Sequence, residues 1–179
     1  LEKIAMTMIH SPFIRVLSID MSYRGAGAAS VSIDNNGISL EKTWLFDSPS
    51  TSGFGFDSLL RSFSELKNKI YKINKILNHD VIIVEMPCYT QSAKSAILIG
   101  MCWGSMIALN KHIDIIDPSV LKDWSESKKG DRKNKVKEKV LERFDLTGKD
   151  LNDNIVDAIG ICLVFSDLIS KQRYEATKR

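Results

Sequence analysis

The stretch Arg15-Val16-Leu17-Ser18-Ile19-Asp20-Met21-Ser22 reads as an apolar strand that terminates in a carboxylate. Strands covered on both faces are near-continuous apolar runs. An Asp closing one, followed by the polar, Gly-rich turn 22–27, lands at the rim of a sheet where it can bind something. Val81-Ile82-Ile83-Val84-Glu85 repeats the design, a β-branched run ended by one carboxylate. If the two strands are parallel and adjacent, Asp20 and Glu85 meet at the same sheet edge. Two anions held that close repel each other unless a cation or a proton sits between them, so a metal site is the first expectation.

Working outward, residues 28–34 and 38–46 are strand-like runs joined by Asn35-Asn36-Gly37, a hairpin turn that tolerates positive φ. Residues 48–55 are rich in Ser and Gly and read as a surface loop. Residues 56–77 then place Leu59, Leu60, Phe63, Leu66, Ile70, Ile73 and Leu77 on one stripe of a long amphipathic helix that covers the sheet. Residues 81–85 form the fourth strand, and Pro87 stops its ladder. Residues 92–109 predict a buried helix in which Gly100 and Gly104 allow close approach of another backbone. A short fifth strand spans 113–116, and Ser119 caps a short helix that runs to Trp124. Residues 132–144 form a Lys-rich helix with Val136, Val140 and Phe144 at spacing four, and 153–169 form a final apolar helix. Residues 1–12 read as an irregular extension, and the charged tail from 170 as a fraying end.

This order, three antiparallel strands, a helix, then parallel strands alternating with helices, is that of the ribonuclease H-like fold: a mixed five-stranded sheet flanked by helices. A doubly wound nucleotide-binding domain is the main competitor. It requires a Gly-rich phosphate loop leading into a helix, whereas Arg24-Gly25-Ala26-Gly27 leads into a strand. The 179 residues, 44% hydrophobic and 26% charged, suit one domain with its core at about 14–168. The three cysteines, Cys88, Cys102 and Cys162, lack metal-type spacing and fit a reducing cytosol. No apolar run is long enough to span a bilayer, so the expectation is an unexported cytoplasmic protein without a membrane partner. The formal net charge of +3 names no partner by itself, so the placement of charge matters more.

That placement is uneven. The last helix opens Asn152-Asp153-Asn154-Ile155-Val156-Asp157-Ala158, with Asp153 and Asp157 one turn apart and Asn154 and Asp157 likewise. For Asp153 a capping or dipole role is as good a reading as a catalytic one. Asp157 precedes an almost wholly apolar segment, where a carboxylate needs a cation or hydrogen bonds to stay ionised. Hard oxygen donors suit Mg²⁺ or Mn²⁺. A pair of such ions roughly 3.5–4 Å apart can activate water and stabilise the leaving oxygen in phosphodiester hydrolysis. Lys122, Lys128, Lys129, Arg132, Lys133, Lys135 and Lys137 crowd one segment just ahead of this helix. A Lys-rich helix is ordinarily a solvated face. Beside a carboxylate cluster, the same charges would draw phosphates to a site that would otherwise repel them.

Taken together, an Asp ending the first strand, a Glu ending the fourth, a basic Gly-containing loop before a helix and an Asp-Ala helix start resemble the RuvC family of Holliday junction resolvases, especially its phage branches. The resemblance spans about 14–168. Ser18-Ile19-Asp20-Met21-Ser22 resembles the first motif, with Met21 where a Pro is common. Glu85 followed by Ala93, Ala96, Leu98 and Gly100 resembles the second, and Lys122 with residues 130–136 resembles the basic elements. It implies a homodimeric, magnesium-dependent endonuclease acting on branched DNA, in the host cytoplasm if phage-encoded. Asp20, Glu85 and Asp157 would hold metal, Lys133 would assist at the scissile phosphate, and Tyr89 would stack on unpaired bases. Where the family carries an acid three residues before the last Asp, this chain has Asn154. The fourth ligand is then Asp153, the Asn154 amide or a water. An RNA-directed nuclease of the same superfamily, or a binding module without catalysis, are the alternatives.

Overall fold

The computed structural model describes residues 1–22, 25–47, 56–85, 100, 104, 112–128, 131–146 and 151–178, of which 21, 22, 25, 47 and 56–63 by backbone alone. The elements in chain order are α1 (Glu2–Met8), β1 (Ile14–Ser22), β2 (Gly25–Asp34), β3 (Gly37–Asp47), α2 (Phe56–Leu77), β4 (Val81–Glu85), β5 (His112–Ile116), α3 (Pro118–Trp124), α4 (Arg132–Arg143) and α5 (Asp153–Ala176). The strands form one sheet in the order β3-β2-β1-β4-β5. β1, β2 and β3 pair antiparallel, whereas β4 runs parallel to both β1 and β5. This is the mixed five-stranded sheet of the ribonuclease H-like fold.

The period-two alternation of a strand sorts the core into two layers. Ile14 and Val16 of β1, with Val81 and Ile83 of β4, pack on the side of α5, joined by Ala5 of α1, Leu121 of α3 and Val136 and Val140 of α4. Leu17 and Ile19 of β1, with Ile82 and Val84 of β4, point to the opposite face and meet Ile70 and Ile73 of α2. All five residues of β4 are buried, as expected for a strand covered on both sides. The α2 stripe read from sequence is realised at Leu66, Ile70, Ile73 and Leu77.

Several expectations are corrected. Residues 2–8 are helical because Leu1, Ile4, Ala5 and Met8 add to the α5-side core, a tertiary gain that a seven-residue segment cannot show by periodicity. The tail from 170 does not fray but continues α5 to Ala176. Arg173 holds it by donating to the carbonyls of Ile9 (3.2 Å), Ser11 (2.5 Å) and Asp34 (3.2 Å). The cap of α3 is Asp117, not Ser119: its carboxylate accepts from Ser119 N–H at 2.7 Å, and Pro118 occupies the first turn. Asp20 does not close its strand, since β1 runs on to Ser22 and β2 begins at Gly25, which shortens the expected turn 22–27. In the β2–β3 turn only Gly37 takes positive φ (+130°), and the Asp34 side chain accepts from the N–H groups of Asn36 and Gly37. Of the stretch 92–109 only Gly100 and Gly104 are described, both helical and exposed. Among the described residues, no helix is long and apolar enough to cross a membrane.

Candidate metal centre at the end of β1 and β4

The site follows from register. Ile19 of β1 pairs with Val84 of β4, so the next residues, Asp20 and Glu85, are neighbours on adjacent parallel strands. Both continue the set Val16–Ser18–Asp20 and Val81–Ile83–Glu85 that faces α5. α5 is pinned to that face by a polar contact inside an apolar layer. Ser18 Oγ donates to the carbonyl of Ala158 at 2.5 Å, and Cys162 Sγ donates to Ser18 Oγ at 3.0 Å. Asp157 therefore descends beside Ala158 onto the two strand carboxylates. One oxygen from each of Asp20, Glu85 and Asp157 lies within 4.8 Å of the others.

A second contact sets how close the helix comes. Gly27 of β2 is the cross-strand partner of Asp20. A Cβ at residue 27 would fall 2.2 Å from the carbonyl oxygen of Asn154 and 2.7 Å from the nitrogen of Ile155. Only glycine lets the first turn of α5 rest on the strand there. Asn152 caps this turn, its side chain accepting from Asn154 N–H at 2.9 Å.

The carboxylates are desolvated. Asp20 is 7% exposed, and burial first, then the charges of Glu85 and Asp157, push its carboxyl up to about 8 against the weaker opposing pull of Arg132. Burial likewise lifts Asp157 to about 6, even though Arg132 and Lys133 favour its charged form. Arg132, at the start of α4, places Nη2 2.5 Å from Glu85 Oε1 and 3.8 Å from Asp157 Oδ2. Among the described residues, three carboxylates face this one guanidinium, so the described part of the cluster carries excess negative charge. An all-oxygen donor set with that excess fits a hard divalent cation such as Mg²⁺ or Mn²⁺.

The remaining candidates are distributed around this group. Asp153 stands outside it, its carboxylate accepting from Lys133 Nζ at 2.8 Å, with both side chains more than half exposed. That contact raises the Lys133 pKa. Asn154 is partly buried where its backbone crosses Gly27. Lys122 and Lys128 are exposed, and Lys135 is paired with Glu138 at 2.7 Å. Lys129 and Tyr89 lie outside the described residues, as do residues 86–99 as a whole. Sequence reasoning assigned Gly27 to a turn and Arg132 to phosphate contact. Reading a hairpin closed between Ser22 and Gly25 would have placed Gly27 opposite Asp20. No sequence signal marks Arg132 as a partner of Glu85.

Fold and site together define a ribonuclease H-like domain with a carboxylate cluster where two parallel strands end under a helix. No protein-family model and no curated protein matches the sequence. Among solved structures, the chain is similar to Thermus thermophilus RuvC in complex with a Holliday junction substrate (TM-score 0.72, 12% identity, covering 89% of this chain and 96% of that one). It is similar also to the yeast mitochondrial Holliday junction resolvase Ydc2 (TM-score 0.64, 15% identity, 99% and 90%). Fowlpox virus resolvase with Holliday junction DNA is a third (TM-score 0.55, 18% identity, 87% and 99%). At these identities the likeness is one of fold.

Proposed function

We propose that the protein is a metal-dependent endonuclease that hydrolyses phosphodiesters in branched DNA, with the four-way junction as its substrate. The observation that carries this reading is the buried group of Asp20, Glu85 and Asp157 on a fold shared with Holliday junction resolvases. Asp20, Glu85 and Asp157 would hold Mg²⁺ or Mn²⁺, two ions per site, and the chemistry such ions would supply is activation of water and stabilisation of charge on the leaving oxygen. Lys133 stabilises charge developing on the scissile phosphate once substrate competes for its bond to Asp153. Lys122, Lys128, Lys129 and Lys135 make the basic surface that draws the backbone, whereas Arg132, expected there from sequence, is turned onto Glu85; Tyr89 stacks on an unpaired base. Two symmetric cuts require two sites related by a two-fold axis, so the working form is a homodimer.

Wild-type protein and the variants Asp20→Asn, Glu85→Gln and Asp157→Asn are to be incubated with a four-way junction, an RNA–DNA hybrid and plain duplex, with and without Mg²⁺. Wild type should cut the junction only with metal. Each variant should lose activity by about a hundredfold or more, because even groups that merely orient a metal ligand are worth 10–100-fold. Junction binding should persist, since the basic surface is untouched. Preferred cleavage of the hybrid would transfer the reading to an RNA-directed nuclease. Junction binding without cleavage would reduce the protein to a binding module.

A further inference from the structure

Arg132 belongs by sequence to the basic segment, yet its side chain turns into the acidic cluster and is only 26% exposed. The 2.5 Å contact from Nη2 to Glu85 Oε1 is a short charge-assisted hydrogen bond, and Asp157 Oδ2 lies 3.8 Å from the same nitrogen. A guanidinium thus leans on two of the three carboxylates that would bind a divalent ion. Hard cations need carboxylate oxygens at short range, about 2.0–2.1 Å for Mg²⁺. Two cations drawing on the same carboxylates in a desolvated site also repel each other.

We propose that Arg132 is the built-in counter-ion of the metal centre: it balances the carboxylates when no metal is bound, and a divalent ion has to displace it to load. The proposal rests on reading Asp20, Glu85 and Asp157 as metal ligands. It would let three buried carboxylates stay packed together before a divalent ion arrives, because one permanent charge is already beside them. Arginine suits the task better than lysine, since it stays protonated in a buried setting and is less strongly hydrated. The consequence is a centre whose metal affinity is lower than its ligands alone would give. The site idles, folded, until the divalent ion is abundant enough to compete.

The test needs neither DNA nor turnover. Metal-free wild type, Arg132→Gln, Arg132→Lys and Asp20→Asn are titrated with Mn²⁺, free ion being followed by electron paramagnetic resonance, and melting temperatures are recorded with and without Mn²⁺. Arg132→Gln should bind Mn²⁺ about tenfold more tightly than wild type, because a competing positive charge is removed from a desolvated site. It should melt lower than wild type when metal-free and gain more on adding metal, with Arg132→Lys falling between the two. Should Arg132→Gln fail to fold without metal, the Arg132→Lys titration decides alone. Unchanged or weaker Mn²⁺ binding in the Arg132 variants, with Asp20→Asn still abolishing it, would overturn the counter-ion and leave the metal centre standing. No Mn²⁺ binding by wild type and Arg132→Gln alike would overturn the metal centre, and this proposal with it.

Discussion

At the start of β1, Arg15 donates from Nε to Glu41 at 3.0 Å and from Nη1 to the Leu77 carbonyl at 2.6 Å, while its backbone N–H donates to the Asp80 carboxylate. Glu41 in turn accepts from Ser30 Oγ at 2.8 Å, and the fully buried His79 ring lies 2.9 Å from Ser30 Oγ and 3.2 Å from Asn74 Oδ1. At the far end of the same strand, Asp20, Glu85 and Asp157 crowd together against, among the described residues, a single guanidinium. Both ends bury polar groups beside an apolar core. The first balances charge against charge and donor against acceptor, which is how a buried polar network becomes rigid scaffold. The second leaves like charges facing each other, a cost that folding alone gives no reason to carry. Burial of polar groups does not distinguish structure from site in this molecule; the unbalanced sign does.

The sharpest way to break the contrast is to titrate it. Asp20 in the folded protein holds its proton to about pH 8 and Asp157 to about pH 6, whereas in the unfolded chain both ionise near 3.8. Between those values the native state binds more protons than the unfolded state, so stability falls as pH rises. For one proton the slope is at most about 1.4 kcal/mol per pH unit. Metal-free protein should therefore lose a few kcal/mol between pH 5 and pH 8 in denaturant titrations. Asp20→Asn should flatten the decline, and Mg²⁺ should offset it. Stability that rises over this window would mean the carboxylates are better compensated than their geometry implies.

The balanced end should answer with the opposite sign at fixed pH. His79→Ala leaves a cavity and strips partners from Ser30 and Asn74, costing about 2–4 kcal/mol. That corresponds to a drop of about 5–15 °C in Tm for a chain of this size. Metal affinity measured well below the new Tm should stay that of wild type; a parallel loss would mean that the two ends of β1 are coupled. The smallest effect belongs to the exposed pair at the rim. Asp153→Ala should change stability by less than about 1 kcal/mol and barely alter Mn²⁺ affinity, because Asp153 is engaged by Lys133 in solvent. A loss as large as that of Asp157→Asn would bring Asp153 into the centre.

What could be read from the chain and what could not differ for a physical reason. β1 and β4 were legible because an apolar run ended by one acid fits a buried strand that reaches a sheet edge and fits little else, and α2 because its stripe repeats over many turns. The meeting of Asp20 and Glu85 followed from strand order once β4 was taken as the parallel neighbour of β1, whereas Asp157 joined them through the family resemblance alone. The elements that escaped are those held by distant partners. α1 exists because α5 offers it a surface, and the end of α5 because Arg173 reaches three carbonyls elsewhere in the chain. Arg132 looked like its lysine neighbours, and only the packing of α4 beside α5 turns it inward.

Gly27 carries no functional group, yet it governs how the centre can be inherited. The first turn of α5 rests on it at a spacing that a single methyl would forbid, and Asp157 hangs from that turn. A carboxylate lost in a descendant chain announces itself, since the missing acid is visible in the sequence. A side chain acquired at residue 27 would lift the helix and silence the site with Asp20, Glu85 and Asp157 all still in place. If the three acids bind metal as proposed, the glycine opposite the first acid is as much a requirement of a working centre as the acids themselves.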